Sequence, residues 1–125
     1  MQYIDNIIYQ NELIKIEIEP HEIPWLKIFT QKNIKEFSQC DSKTKNEIWR
    51  CLDICEKEML VYFEPEKINI ASFGNYCPHI HFHIQARFKD DSFFPEPTWG
   101  MKQRESNLYL KDFNKFYENL VLKLN

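Results

Sequence analysis

Residues 78–88 read Pro-His-Ile-His-Phe-His-Ile-Gln-Ala-Arg-Phe, a stretch in which polar and apolar side chains alternate. Alternation with a period of two is typical of a β-strand that buries one face. The pattern therefore predicts a strand whose isoleucine and phenylalanine side chains pack on the core. The opposite face is expected to carry His79, His81, His83, Gln85 and Arg87.

Three of the four histidines in the chain lie on that polar face. One interpretation is a metal site, because imidazole is the commonest metal ligand, although a strand places the outer two Cα atoms roughly 13 Å apart. A second interpretation is a solvated face without chemistry. A third is nucleophilic catalysis, since a neutral imidazole can attack phosphorus when neighbouring groups fix its tautomer. The alternation alone leaves all three open.

Longer motifs surround the histidines and resemble the histidine triad family of nucleotide hydrolases and transferases. The family pattern, H-φ-H-φ-H-φ-φ with φ apolar, is matched from His79 onward, with Gln85 in the last place. Phe73-Gly74-Asn75 precedes it, and residues 86–100 read Ala-Arg-Phe-Lys-Asp-Asp-Ser-Phe-Phe-Pro-Glu-Pro-Thr-Trp-Gly. These flanks are similar to a bacterial, diadenosine tetraphosphate hydrolase-like branch, whose pattern runs L-G-N, the triad, A-R-F-x-x-D and F-P-x-P-x-W-G. A match over roughly 30 residues is far more specific than a short motif.

The resemblance implies a fold of the α+β class. Its expected parts are an antiparallel sheet of about five strands, a main helix packed on the sheet and a C-terminal helix. Family analogy also implies assembly as a two-fold homodimer.

The same resemblance implies chemistry at the α-phosphate of a nucleoside phosphoramidate or a dinucleoside polyphosphate, with an adenine nucleotide as the expected substrate. His81 takes the place of the nucleophile and would form a nucleotidyl-histidine intermediate. His79 would orient His81, and His83 would donate to the phosphate oxygens. No cofactor or metal is expected. The alternative is a nucleotide-binding or protein-interaction module that keeps the fold without useful catalysis.

Side chains at other matched positions are expected to contact the nucleotide: Asn69, Asn75, Tyr76 and Trp25. Tyr76 stands where the family has Ser or Thr, and a phenol with a pKa near 10 fits that position less well. Glutamate and histidine side chains before the third predicted strand are weaker candidates for contact with ribose: Glu19, His21 and Glu22.

Residues 30–32 depart from the family pattern. They read Thr-Gln-Lys where the resembling branch has Pro-Arg-Arg. Lys32 is a weak substitute for arginine, because an ammonium group cannot form the bidentate fork of a guanidinium. The departure predicts a reduced cationic contact with phosphate from this loop.

Composition narrows the remaining possibilities. At 125 residues the chain is expected to form a single domain, 1–125, and its net charge of −3 argues against a long nucleic-acid partner. Only Gly74 and Gly100 occur, which excludes a Walker loop or a G-x-G-x-x-G cradle. The segment from Met1 lacks the pattern of a signal peptide, no apolar run approaches ~18 residues, and the four cysteines form no C-x-x-C pair. A cytoplasmic protein without membrane contact is expected.

Periodicity and turn residues predict the other elements. The first is a hairpin of 7–9 with 13–19, followed by a strand over 25–30 and a short helical turn within 33–38. A main helix begins near Asp41 or Ser42 and is closed by Pro65, and a strand over 67–73 leads through a five-residue loop into the triad strand. Residues 89–104 form a long loop, in which Trp99 anchors an interface or covers its own core. An amphipathic helix over 110–124 ends the chain.

Overall fold

Five strands form one antiparallel sheet in the computed structural model, which describes residues 6–125. The strands are β1 (Ile7–Gln10), β2 (Ile14–Ile18), β3 (Trp25–Thr30), β4 (Lys67–Ala71) and β5 (His81–Arg87), in the spatial order β1-β2-β3-β5-β4. The helices are α1 (Ser42–Phe63) and α2 (Phe113–Leu124), with a 3-10 turn at Phe37–Gln39. The predicted α+β fold is confirmed. The prediction about a signal peptide concerns chiefly residues 1–5, which lie outside the described range.

The predicted N-terminal hairpin is present as β1 and β2. Asn11 closes its turn, because the side-chain Oδ1 accepts hydrogen bonds from the backbone N–H groups of Leu13 and Ile14 at 2.9 and 3.1 Å. Ile14 and Ile16 are fully buried, whereas Lys15 and its neighbours on the other face remain partly exposed. The hairpin therefore gives the sheet one dry face and one wetter face, as the alternation predicts.

Helix α1 covers the dry face of the sheet. Asp41 caps its first turn by accepting a hydrogen bond from the Thr44 N–H at 2.8 Å. Glu64 ends the helix in the left-handed region with φ of 50°, directly before Pro65. The predicted apolar stripe is buried in full: Ile48, Leu52, Cys55, Met59 and Phe63. This stripe packs with the inward side chains of β2, β3 and β5 and with α2.

Helix α2 begins three residues later than predicted. The Asp112 side chain accepts a hydrogen bond from the Asn114 N–H at 3.2 Å, so the helix begins at Phe113 rather than at residue 110. An aspartate at this point is a strong N-cap, and that local signal outweighs the apolar periodicity that continues back to Leu110. Its buried residues belong to the predicted face: Phe116, Tyr117, Leu120 and Leu124.

The connection between β4 and β5 is longer than the predicted five-residue loop. The strands pair antiparallel as expected, but pairing begins at Ala71 opposite His83, and residues 72–80 join the two strands. The Ile80 N–H donates to the Ile34 carbonyl at 2.7 Å instead of to a strand neighbour. The first part of the alternating stretch, including His79, is therefore not strand.

Strand β5 lies between β3 and β4 and is covered on both faces. On the histidine face Lys27 pairs with His83 and Phe29 pairs with His81, because residues opposite each other in an antiparallel pair share a face. Residues 89–104 fold back over the β4 side of this face. Neither helix in the described range 6–125 combines the length and the apolar character needed to cross a bilayer.

Candidate functional site

Two of the three clustered histidines share a cavity on the sheet face opposite the helices. His81 and His83 line a space of about 350 Å³, and their ring centroids lie 4.9 Å apart in an edge-on arrangement. The remaining wall comes from the segment before β5 and from the long loop after it: Phe73, Gly74, Asn75, Tyr76, Cys77 and Trp99. This volume is at the lower end of the range for small-molecule pockets.

The proton position on His81 follows from its contact with the backbone. His81 is 8% exposed, and its Nδ1 lies 2.7 Å from the carbonyl oxygen of His79. A carbonyl oxygen only accepts, so the proton of the neutral ring is on Nδ1 and the lone pair is on Nε2. The Phe29 ring stacks on the imidazole with centroids 4.6 Å apart and fixes its plane. The arrangement presents a nucleophilic nitrogen.

His79 lies two residues before His81, in the segment that precedes β5. Its Nε2 is 2.7 Å from the Thr30 carbonyl oxygen and 3.1 Å from the Thr30 hydroxyl. Since the carbonyl requires a donor, Nε2 carries the proton of the His79 ring. Within residues 6–125, the wall of the cavity does not include His79. The side chain therefore ties the segment to β3, and its backbone carbonyl contacts His81.

The neutral tautomer of His83 is the opposite of the tautomer of His81. The Trp25 indole Nε1–H donates to His83 Nδ1 at 3.0 Å, so the proton of the neutral ring is on Nε2. Burial, together with the repulsion that a protonated His81 and Lys27 would exert on a positive charge, lowers the pKa of His83 to about 4. His83 is 9% exposed and is a neutral hydrogen-bond donor at physiological pH.

The geometry does not favour the metal interpretation. Nowhere in the described range do three His, Cys, Asp or Glu side chains converge in a manner that could hold an ion. Both Nε2 of His79 and Nδ1 of His83 are directed to protein partners. Cys51 lies buried in α1, and burial raises the pKa of its thiol to about 12.

Trp99 covers the histidines from within the same chain. Its ring centroid lies 4.8 Å from that of His83 and 4.7 Å from that of Phe73, and it packs edge-on against Trp25 at 5.3 Å. The side chain is 46% exposed, so one side of the indole faces solvent at the cavity mouth. Trp99 thus covers part of the histidine face in its own chain, and its role as an interface anchor stays a prediction.

A buried ion pair anchors the loop that carries Trp99. Arg87 donates from Nε and Nη2 to the two Asp91 carboxylate oxygens at 2.9 and 3.0 Å. Asp91 also accepts from the backbone N–H groups of Phe88, Phe93 and Phe94. Burial raises the pKa of Asp91, but these hydrogen bonds outweigh it and hold the pKa at about 2. The A-R-F-x-x-D motif thus fixes the course of the loop.

Solved structures share this arrangement of strands and helices. No protein-family model and no curated protein matches the chain. The crystal structure of a histidine triad protein from Bradyrhizobium japonicum aligns with a TM-score of 0.78 and 24% identity, over 96% of this chain and 92% of that one. The crystal structure of a histidine triad protein from Marinobacter aquaeolei aligns with a TM-score of 0.78 and 18% identity, again over 96% of this chain and 92% of that one.

A third structure, of a hypothetical histidine triad nucleotide-binding protein from Sulfolobus tokodaii, has a TM-score of 0.59 and 13% identity, over 95% of this chain and 80% of that one. The chain has the histidine triad fold. At these identities the likeness concerns the fold, and the chemistry depends on the side chains described above.

The other predicted site residues occupy different parts of the histidine triad fold. Asn75 and Tyr76 lie on the rim of the cavity, where Tyr76 is fully exposed. Asn69 lies on the histidine face opposite Gln85, and its Oδ1 accepts from Arg87 Nη1 at 2.9 Å. Among residues 6–125 the wall of the cavity includes neither Asn69 nor Trp25. The structure therefore brings Asn75 and Tyr76 to the two histidines and places Asn69 in the loop anchor.

The contacts of Gln85 account for a polar residue at a position that is apolar in the family pattern. The side chain lies on the histidine face and its Nε2 donates to the Thr98 hydroxyl at 2.8 Å, which ties β5 to the covering loop. Its Oε1 is buried and has no hydrogen-bond partner within the described range. The glutamine thus adds a second attachment for the loop beside Arg87.

The three residues proposed to contact ribose, Glu19, His21 and Glu22, have different partners in the structure. The Glu19 carboxylate forms an ion pair with Lys27 at 2.9 Å and lies beside the histidines. Glu22 instead accepts from the Ser92 N–H at 2.8 Å, and His21 packs edge-on against Trp25 at 5.1 Å. Glu19 is therefore linked to the histidine face through Lys27, and His21 only through its packing on Trp25.

The loop after β3 directs its side chains away from the histidines. The Gln31 side chain donates to the backbone carbonyls of Asn11 and Ile14 in the first hairpin. Lys32 lines a separate cavity of about 30 Å³ near Asp41. The reduced cationic contact expected from residues 30–32 agrees with this placement.

Lys27 is the cation that sequence reasoning missed. It lies directly opposite His83 in the β3–β5 pair, with Nζ 2.9 Å from Glu19 and 5.8 Å from the centroid of the Phe29 ring. In the sequence, Lys27 alternates with Leu26 and Ile28, which assigns it to the wet face of the sheet. The alternation could therefore assign Lys27 to the wet face from the sequence. Its position beside the histidines depends on the pairing of β3 with β5.

Proposed function

We propose that the protein is a histidine triad nucleotide hydrolase or nucleotidyl transferase. His81 Nε2 attacks the α-phosphorus of a nucleotide, an N–P bond forms, and the bond from phosphorus to the leaving group breaks. The leaving group departs with the bonding electrons and takes a proton. Water, or another acceptor, then attacks phosphorus, and its proton is released as the N–P bond breaks. The observation that carries this proposal is the His81 tautomer, whose free Nε2 belongs to a ring in the cavity wall.

Charge on the phosphate is stabilised by donors on the same face. His83 Nε2–H and the Asn75 amide donate to non-bridging oxygens, and such preorganised donors each contribute roughly a factor of 100–1,000 in rate. Lys27 supplies the positive charge that residues 31 and 32 do not, because it lies opposite His83 on the neighbouring strand. Glu19 holds the Lys27 ammonium in the absence of phosphate.

The proposed substrates are nucleoside phosphoramidates and dinucleoside polyphosphates with an adenine base. A planar base or leaving group can stack on the aromatic wall formed by Phe73, Tyr76 and Trp99. The Sulfolobus tokodaii protein of the same fold is named as nucleotide-binding, which agrees with this substrate class. Membership of the histidine triad family, including its bacterial branch, is part of the same proposal.

Two further features belong to the proposal. The protein is a two-fold homodimer, for which light scattering coupled to gel filtration is the test. It works in the reducing cytoplasm, where the free thiols at Cys40, Cys51, Cys55 and Cys77 remain reduced.

The decisive experiment measures turnover of adenosine phosphoramidate, diadenosine tetraphosphate and an adenylylated amine by the wild type and by His81→Ala. The wild type should release AMP, and an alkaline denaturing quench should trap AMP on His81 in a mass-spectrometric peptide map. The variant should show neither, while its thermal melting stays cooperative. Equal hydrolysis by the two proteins, or turnover without a trapped adduct, would contradict the mechanism.

A second candidate is a nucleotide-binding module with little catalysis. The placement of Gln31 and Lys32 away from the histidines favours it, since both cations of the family loop are then missing. AMP binding detected by NMR titration, with no turnover of any of the three substrates, would support this function instead.

A further inference from the structure

We propose that Trp25 is a positioning residue, which holds His83 as the neutral Nε2–H tautomer by donating its indole N–H to His83 Nδ1. Sequence reasoning placed Trp25 among the nucleotide contacts, and the structure assigns its only side-chain donor to the histidine instead. The tautomer is a property of the protein alone, and the kinetic consequence rests on the proposed function.

The direction of this hydrogen bond is fixed by chemistry. An indole nitrogen has a proton and no available lone pair, so it only donates. At an Nε1–Nδ1 distance of 3.0 Å, His83 Nδ1 must therefore accept. A proton on Nδ1, whether in the other neutral tautomer or in the imidazolium, would face the indole proton. Trp25 thus disfavours two of the three possible states of His83.

The indole is held firmly enough to impose this choice. Trp25 lies on β3 opposite Gln85, and its ring is packed edge-on by His21 at 5.1 Å and by Trp99 at 5.3 Å. The carbonyl of the preceding residue, Pro24, accepts from the Ala86 N–H at 3.0 Å. These contacts fix the direction of the N–H.

The titratable groups around His83 affect its charge, and all but one disfavour a proton on both nitrogens. A protonated His81 on β5 and Lys27 on β3 both disfavour a positive charge on His83, and Glu19, directly after β2, favours it. These effects concern the charge of the ring, and the choice between its two neutral tautomers is a separate matter. That selection comes from the Trp25 N–H, and it determines that Nε2, rather than Nδ1, carries the proton that can be donated to a phosphate oxygen.

The test uses ¹⁵N-labelled histidine and NMR spectra from pH 4 to pH 8. Wild-type His83 should show an unprotonated Nδ1 and a protonated Nε2 throughout the neutral range. In Trp25→Phe, which keeps an aromatic ring and removes the donor, His83 should populate both neutral tautomers and titrate at a higher pH. Trp99→Phe is the matched control, because Trp99 also packs on His83 but shares no hydrogen bond with it. That variant should keep the wild-type tautomer.

Replacement of Trp25 by 3-benzothienylalanine provides a second variant that keeps the shape of indole and lacks its N–H. It should give the same mixed tautomers as Trp25→Phe, even if the phenylalanine variant folds poorly. A proton on Nδ1 of wild-type His83, or an unchanged tautomer in the benzothienyl variant, would overturn the proposal.

Kinetics distinguish this proposal from the proposed function. With adenosine phosphoramidate, loss of the Trp25 N–H should lower kcat on the order of 10-fold with little change in KM, a typical effect of removing a group that orients another. An altered tautomer with unchanged kcat would overturn the positioning role. Absence of turnover in the wild type would contradict the proposed function, while the NMR result would still decide the role of Trp25.

Discussion

Nδ1 of His81 lies 2.7 Å from the backbone carbonyl oxygen of His79. The contact spans two residues, and its acceptor lies just before the first residue of β5. The side chain of His79 therefore orients its neighbour indirectly, by holding this backbone against Thr30. The first histidine of the motif acts mainly through its main chain.

This arrangement predicts that His79→Ala lowers kcat on the order of 10-fold, which is less than the loss expected in His81→Ala. The variant loses the hydrogen bond to the Thr30 carbonyl, and the carbonyl that fixes the His81 tautomer becomes less well placed. Thr30→Val is the control, because it removes the hydroxyl contact at 3.1 Å and keeps the carbonyl contact at 2.7 Å. Steady-state rates with adenosine phosphoramidate provide the measurement. A loss in His79→Ala equal to that of His81→Ala would indicate direct participation of the His79 side chain.

Lys27 on β3 and Lys32, which follows β3, should differ in their effect on nucleotide affinity. Lys27→Met should weaken AMP binding about 10-fold. A charge-assisted hydrogen bond contributes about 1.5–3 kcal/mol, and a factor of ten in affinity corresponds to about 1.4 kcal/mol. Lys32→Met should leave the affinity unchanged, because Lys32 lines a separate cavity. Isothermal titration at two salt concentrations measures both. Equal weakening by the two variants would argue against the assignment of phosphate to Lys27.

Local sequence signals predicted the elements of the fold well where they agreed with one another. Strand β3 and helix α1 have the predicted bounds, because the cap at Asp41 and the breaker at Pro65 delimit an unbroken apolar stripe. The connection between β4 and β5 was less predictable. Its alternating pattern continues back to His79, but tertiary hydrogen bonds to Thr30 and Ile34 override it.

The candidate site was predictable only in part. The motif identified His81 and His83, but alternation alone put His79 on the same face and gave no sign of its backbone role. The partnership of Trp25 with His83 joins residues 58 positions apart, and the placement of Lys27 depends on the order of the strands. Such relationships are set by topology, which local patterns do not specify.

Asp91→Asn should strongly destabilise the loop that carries Trp99. Removing one charge of a buried, hydrogen-bonded pair typically costs about 3–5 kcal/mol, because the remaining Arg87 charge is left without its partner. Urea unfolding followed by tryptophan fluorescence measures the change. Glu105→Gln, which breaks the exposed pair with Lys102, should change the unfolding free energy by less than about 1 kcal/mol.

The pH dependence of the same ion pair has a defined sign. The pKa of Asp91 is about 2 in the folded protein, which is below the value near 3.9 of an unfolded aspartate. Its contribution to stability is therefore complete above about pH 4 and is lost as the pH falls toward 2. An acid-unfolding curve for Asp91→Asn that keeps the full wild-type pH slope in this window would contradict the assignment.

His83 should make the protein less stable at mildly acidic pH. Its folded pKa of about 4 lies below the value near 6.5 of an unfolded histidine, so the unfolded state binds more protons between these values. The unfolding free energy therefore decreases as the pH falls from about 6.5 to 4, and His83→Asn should lose this part of the slope. Urea unfolding at a series of pH values tests this. An identical slope in the variant and the wild type would mean that His83 titrates normally.

Cys77 offers a direct probe of occupancy of the cavity. Its thiol is exposed on the rim of the space lined by His81 and His83, whereas Cys51 and Cys55 are buried and burial raises the pKa values of their thiols. Because the thiolate is the reactive form, iodoacetamide at pH 7.5 should modify Cys77 rapidly and leave the two α1 cysteines unmodified in the folded protein. AMP at saturating concentration should slow the reaction at Cys77, since the nucleotide would occupy the space beside it. Peptide mass spectrometry over a time course measures both rates. An unchanged rate at Cys77 under conditions where AMP is bound would place the nucleotide elsewhere on the histidine face.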